Sequence, residues 1–205
     1  MNENFLKELA AKKPTPGGGG VAALLGAISS ALGCMVCNFT IGKKKYAKYD
    51  EENQRLLNIL NKNMVKFEEL IELDAKAFEP LSKAYKLPSE NDEEKKKKEE
   101  IIEPLLINSA MVPLKVMRLC GQTLEIISKL LNQSSVLVLS DVGVAASCCK
   151  SCIDSAALNV FINTKLLKNK QKREEIEKET HEIVRKYSNI SEDIYGKVKI
   201  NLCEE

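Results

Sequence analysis

This chain should fold as a single-domain, all-α bundle of five to seven helices, spanning residues 1–205 and built around one apolar central helix. Three observations lead there. Alanine, leucine, lysine and glutamate dominate, while aromatics are only 5% and tryptophan is absent, a composition that favours helix over sheet. Apolar residues recur at steps of three and four rather than two. The breakers fall between those periodic segments rather than within short alternating runs.

Residues 2–11 form a short amphipathic helix in this reading. Residues 12–20, with two prolines and four glycines, form a breaker. Residues 21–41 are the central helix, with Val21, Leu24, Leu25, Ile28, Leu32 and Met35 on one face and Gly42 as its C-cap. Lys43, Lys44 and Lys45 suit the negative end of that helix. Residues 50–85 make a long helix with the stripe Leu57, Leu60, Met64, Phe67, Ile71, Asp74, Phe78, Leu81. After a break at 87–91, residues 92–131 are helical, and Pro104 and Pro113 must kink or divide them. Residues 136–167 give a second apolar helix, entered by an extended piece at 136–139. A charged helix over 171–186 and a separate short one near Ser191 complete the set.

Composition narrows the function. A net charge of +2 with interleaved signs gives no basic field for nucleic acid. The single histidine, His181, sits in a charged segment, which argues against a catalytic triad or a histidine metal site. The seven cysteines are an odd number, and several stand in apolar helical runs. They read as buried thiols of a reducing, cytoplasmic compartment. Cys34–Cys37 and Cys149–Cys152 have CxxC spacing but lie inside helices, where small residues serve packing better than metal. Residues 14–42 carry no charge and include a run long enough to cross a bilayer. Their content of glycine, serine and asparagine equally suits the core helix of a bundle.

Two polar sets stand out. Asp74 interrupts an apolar stripe, and a carboxylate turned toward a core acquires a raised pKa and can serve as acid or base, or else is a structural group bonded to a helix end. Asp141, Asn159 and Asn163 fall on one face among alanines and cysteines, as a pocket lining or as interhelical hydrogen-bonding groups. Gly17, Gly18, Gly19 and Gly20 precede a helix, where free amides hold an anion and glycine admits a ligand to the backbone. No strand precedes them, so a dinucleotide fold is excluded.

Six motifs in order then resemble a known family. They are Pro14-Thr15-Pro16-Gly17-Gly18-Gly19 with Val21-Ala22-Ala23; Thr40-Ile41-Gly42-Lys43-Lys44-Lys45-Tyr46; Asp74-Ala75-Lys76-Ala77-Phe78; Lys86-Leu87-Pro88; Ser140-Asp141-Val142-Gly143-Val144-Ala145-Ala146; and Leu158-Asn159-Val160-Phe161-Ile162-Asn163. This run resembles the cyclodeaminase domain of formiminotransferase-cyclodeaminase and its stand-alone relatives, the methenyltetrahydrofolate cyclohydrolases. Gly20 departs from the family's frequent serine, and nothing in these residues corresponds to the formiminotransferase domain.

The resemblance implies a folate one-carbon enzyme without cofactor, metal, nucleic-acid or membrane partner. Its substrates would be tetrahydrofolate derivatives, polyglutamylated forms included. Formiminotetrahydrofolate cyclodeaminase stands first, with methenyltetrahydrofolate cyclohydrolase as the alternative and a non-catalytic folate-binding module as a third reading. Asp74 or Asp141 would move protons and stabilise the cation. Lys44, with Lys43 or Lys45 as near equivalents, would act as acid or hold the glutamate tail, Asn159 and Asn163 would hold the pterin edge, and Gly17–Gly20 a carboxylate. Family members are dimers or higher oligomers with the folate groove near the subunit contact.

Overall fold

The computed structural model describes residues 5–203, and residues 2–4 of the expected first helix lie outside them. Six α-helices and no strand are found among the described residues: α1 (Phe5–Leu9), α2 (Gly18–Asn38), α3 (Asp50–Ala84), α4 (Asp92–Gln133), α5 (Leu139–Thr164) and α6 (Lys170–Cys203). Two 3-10 turns, Lys44–Tyr49 and Val136–Val138, lead into α3 and α5.

The core forms where α2 packs against α3, α4 and α5. Small residues set how closely these helices approach. On α2, Gly19, Gly26 and Gly33 recur every seventh residue and face α3. A Cβ at Gly26 would stand 2.3 Å from the Phe67 ring, and one at Gly33 2.9 Å from Leu60. Phe67 and Leu60 are fully buried in those slots. Facing α5, the Ser29 hydroxyl donates to the Ala145 carbonyl at 2.9 Å. At the far end, Thr40 donates to the Val36 carbonyl at 2.8 Å and accepts the Ser135 N–H at 2.9 Å, which ties the end of α2 to the start of α5. α2 and α5 therefore run antiparallel.

Four sequence expectations need correction. The central helix starts at Gly18, inside the expected breaker, and stops at Asn38; Phe39 is its C-cap. Gly42 lies beyond, at φ +81°, where it turns the chain and donates its N–H to Asp50 Oδ1 at 3.2 Å. Of the two outcomes open at Pro104 and Pro113, division does not occur: α4 is one helix of 42 residues. Each proline costs one backbone bond, and the helix is held by packing on α3, α5 and α6. Residues 136–138 form a 3-10 turn, not an extended piece. The two expected C-terminal helices are one, because Ile176, Thr180, Tyr187, Ser191, Ile194 and Val198 make a single buried stripe at helical spacing.

α2 and α5 are both long and apolar enough to cross a membrane by length and composition. Both are core helices here, and each keeps one uncharged face exposed. Ile28, Phe39, Val144, Leu158 and Ile162 lie on it, with Leu158 at 70% exposure.

Candidate active site

The first turn of α2 is the floor of the site. Gly17 is its N-cap and offers no side-chain bond. Val21 is the first residue whose N–H closes a helical bond, to Gly17 O at 3.1 Å. The preceding N–H groups of the glycine run therefore have no partner within the helix.

Two helices place side chains on that turn. From α3, Asp74 lies flat against Gly19: a Cβ there would meet its Oδ1 at 2.1 Å. Burial pushes the Asp74 carboxyl above its ordinary value, and the Gly20 N–H, which favours the anion, offsets part of the rise. From α5, the Asn159 amide rests on Gly18, 3.1 to 3.3 Å from where a Cβ would sit. Asn159 donates to the Ser155 carbonyl at 2.8 Å, and Asn163 to the Asn159 carbonyl at 2.8 Å. Both amides thus spend a donor on their own helix and keep an oxygen for acceptance.

A cleft of about 770 Å³ adjoins this turn, between α3 and the chain around α1. Phe5, Pro16 and Ile71, which also surround Gly20, line it with Thr15, Glu68 and Glu72. That volume falls within the range of small-molecule sites. No motif in the sequence pointed to Glu68 or Glu72, because they read as ordinary exposed positions of a long helix.

The remaining expected residues lie elsewhere. Lys43, Lys44 and Lys45 follow the opposite end of α2; Lys43 Nζ donates to Ser135 Oγ at 3.0 Å, and Lys44 and Lys45 are exposed. Tyr46 OH accepts the Val136 N–H there at 3.2 Å. Asp141 is half-buried in the first turn of α5, at this same end. It stands 18 residues, about 27 Å of helix, from Asn159. The expected row Asp141–Asn159–Asn163 therefore lines no common pocket in one chain. The structure brings Gly18, Gly19, Gly20, Asp74 and Asn159 together, and collects the lysines and Asp141 at the other end.

Other candidates resolve as packing. All seven cysteines are free. Burial pushes Cys34 up to about 11 and Cys37 to about 12, so neither is a ready nucleophile. No group of three or more His, Cys, Asp or Glu suited to a metal ion is found among the described residues. His181 stacks on Phe161 with ring centroids 5.0 Å apart.

The comparisons with known proteins agree with this architecture. The chain matches the family described as formiminotransferase-cyclodeaminase over residues 1–182. It is 37% identical to a methenyltetrahydrofolate cyclohydrolase of Methylorubrum extorquens, over 96% of this chain and 95% of that one. It is 31% identical to the mouse formimidoyltransferase-cyclodeaminase over 78% of its own length, spanning only 30% of that larger protein. The crystal structure of formiminotetrahydrofolate cyclodeaminase from Thermotoga maritima superposes with a TM-score of 0.81 at 30% identity, covering 97% of this chain and 93% of that one. The all-helical fold, the match over most of the chain and the whole-length relatives lead to one assignment: this chain belongs to the formiminotransferase-cyclodeaminase family, in the part that is the cyclodeaminase domain.

Proposed function

We propose that the protein acts on the one-carbon bridge between N5 and N10 of tetrahydrofolate, with methenyltetrahydrofolate cyclohydrolase as its first activity. The observation that carries this is the Asp74 carboxyl: held against the Gly19 backbone at the start of α2, raised by burial, with no cation paired to it among the described residues and with the Asn159 amide on the neighbouring Gly18. The near whole-length likeness to a cyclohydrolase favours hydrolysis over deamination, reversing the order drawn from motifs alone.

The chemistry follows from what a methenyl bridge needs. The N5–C–N10 unit is a delocalised cation, and water must add to its carbon. As a carboxylate, Asp74 stabilises that cation and takes the proton from the attacking water. The tetrahedral adduct then collapses: the C–N5 bond breaks, Asp74 returns its proton to N5, the adduct's hydroxyl releases its proton to solvent, and the carbon stays on N10 as a formyl group. The Asn159 oxygen accepts a pterin N–H, with Asn163 beside it, and the free N–H groups at the start of α2 receive a substrate carboxylate. That carboxylate belongs to the glutamate tail, and only the added residues of a polyglutamyl tail would extend from it toward the lysine end. Deamination is the second reading, favoured by the Thermotoga relative. There N10 would attack a formimino carbon, and Asp74 would protonate the leaving ammonia.

The residues suffice without metal or nucleotide, so turnover should persist in excess chelator. Seven free cysteines support a reducing, cytoplasmic setting, and the uncharged α2–α5 face supports a homodimer or higher homo-oligomer. The test is loss of methenyl absorbance with purified protein, beside ammonia release from formiminotetrahydrofolate. Asp74→Asn should abolish turnover while the helical circular dichroism persists. Full activity in that variant would remove Asp74 from the chemistry, and binding without turnover in the parent protein would leave a folate-binding module.

A further inference from the structure

The first turn of α2 is wound from residues that do not favour a helix. Gly18, Gly19 and Gly20 stand in succession, and glycine is the poorest helix former after proline. Gly17 offers no side-chain cap, and the turn has no acidic residue to meet the positive end of the helix. By local preference alone this segment is the breaker that the sequence suggests. The turn is held from outside, one glycine at a time: Asn159 rests on Gly18, Asp74 on Gly19, and the Phe5 ring, with Pro16 and Ile71, on Gly20. Asp74 and Asn159 already have places in the chemistry. We propose that Phe5 is a positioning residue: by clamping Gly20 it keeps the glycine turn wound in the free enzyme, so that the N–H groups of the turn stand ready for the substrate carboxylate. This inference rests on the folate reading above and names what keeps that site in its binding form.

The clamp is also what attaches α1. That helix has five residues, too few to hold itself in water. Phe5 is its only buried side chain, at 9% exposure. The bonds of the strap that follows are local: the Ala10 N–H donates to the Leu6 carbonyl at 3.1 Å, Ala11 to Glu8 at 3.1 Å and Lys13 to Ala11 at 2.8 Å. Among the described residues, no hydrogen bond or ion pair ties residues 5–15 to α2 or α3. Beyond the Phe5 ring, the space between this segment and α3 is the cleft of about 770 Å³, with Glu8 and Lys13 on one wall and Glu68 and Glu72 on the other. The strap is therefore backed by open space rather than by packing, and it enters α2 directly at Gly17.

Clamp and reacting group meet at one residue. A Cβ on Gly20 would lie 3.9 Å from the Phe5 ring, 3.8 Å from Pro16 and 3.7 Å from Ile71, which is ordinary contact, so the three side chains close around the glycine without crowding it. The N–H of the same glycine is the group that favours the Asp74 anion. Without the ring, Gly20 loses its aromatic contact and the strap is free to swing away, which lets the turn fray. Substrate binds only the wound turn. Apparent binding then weakens by the fraction that is wound, and saturating substrate restores the turn. The effect of Phe5 therefore falls on KM. A merely structural role reads differently: lost fold removes active molecules, which lowers kcat and leaves KM as it was.

Phe5→Ala and Phe5→Leu test this against wild type, by methenyl absorbance and by hydrogen exchange on the peptide covering residues 17–24. In Phe5→Ala, KM should rise by about tenfold or more, the scale of losing one buried aromatic contact, with kcat within about twofold of wild type. Amide exchange in the peptide should be faster, and saturating 5-formyltetrahydrofolate should return it toward the wild-type rate. Exchange around Val36, in the middle of the bundle, should not change. Phe5→Leu keeps apolar bulk without the ring and should fall between the two; it carries the same readings if Phe5→Ala loses its helical circular dichroism. Unchanged exchange in the variants overturns the clamp. Faster exchange with an unchanged KM overturns its role in substrate binding, and so does a fall in kcat at unchanged KM. If the wild-type protein turns over neither folate, the proposed function falls, and exchange with and without 5-formyltetrahydrofolate still decides whether Phe5 holds the turn.

Discussion

Gly19→Ala isolates the contact on which the site depends. The new Cβ would stand 2.1 Å from Asp74 Oδ1, 2.5 Å from Cγ and 2.6 Å from Oδ2, where ordinary contact begins at 3.4 Å. Because Cγ itself is too close, rotating the carboxyl about its last bond does not clear the clash. The whole group must retreat by about 1 Å or more, by a new rotamer or by wider spacing of α2 and α3. Overpacking of this kind costs about 1–3 kcal/mol. Replacing a helical glycine returns up to about 1 kcal/mol, so the net loss of stability is about 0–3 kcal/mol. Turnover suffers more: a misplacement near 1 Å costs about 100-fold, which is about 2.7 kcal/mol of barrier. The assay is methenyl absorbance at saturating substrate, with urea melts on the same preparations. Gly196→Ala is the control, since no atom lies within 4 Å of its Cβ position; it should leave turnover unchanged and stabilise by up to about 1 kcal/mol. A Gly19→Ala protein that turns over within about twofold of wild type would refute the claim that Asp74 must lie against this backbone.

Asp74→Asn should also alter how stability depends on pH. The folded state holds the Asp74 proton more tightly than the unfolded chain, so wild-type stability falls as pH rises from 3.8 through the raised folded value. The variant should lack that component and gain on wild type in thermal melts from pH 4 to pH 7; parallel curves would show that the carboxyl is not raised. Gly26→Ala drives a methyl to within 2.3 Å of the buried Phe67 ring and should destabilise by about 1–3 kcal/mol in urea. Gly42→Ala meets no atom but must hold φ +81°, so it should cost about 1 kcal/mol in a thermal melt.

The helices were legible because their stripes are long. The α3 stripe from Leu57 to Leu81 was readable residue by residue, and its polar member, Asp74, is the side chain that the structure lodges at the start of α2. The prolines of α4 do not divide it, because local propensity is overridden when a helix is packed along its length. The C-terminal stripe reads as two helices in the sequence because its polar members, Thr180 and Ser191, interrupt the apolar pattern. The site was legible only in part, for a geometric reason. Periodicity gives the face of a helix on which a residue stands, but not which residues of antiparallel neighbours meet at one end. Asp141 and Asn159 share a face and are still separated by most of α5.

The spacing of the glycines explains why Asp74 stands out physically. Gly19, Gly26 and Gly33 on α2 face Asp74, Phe67 and Leu60 on α3, and each set repeats every seventh residue in opposite order. These are three equivalent slots of one antiparallel helix contact, each a glycine that admits a side chain from the neighbour. Two slots hold fully buried apolar groups, which is what packing alone would select. The third, at the outer end, holds a carboxyl group that burial opposes and no cation relieves. An apolar side chain there would serve the bundle better, because it would remove the cost of burying a charge. The fold therefore bears a local loss of stability to hold a proton-binding group rigidly beside free backbone N–H groups. That is the arrangement expected where the requirement comes from a reaction rather than from packing.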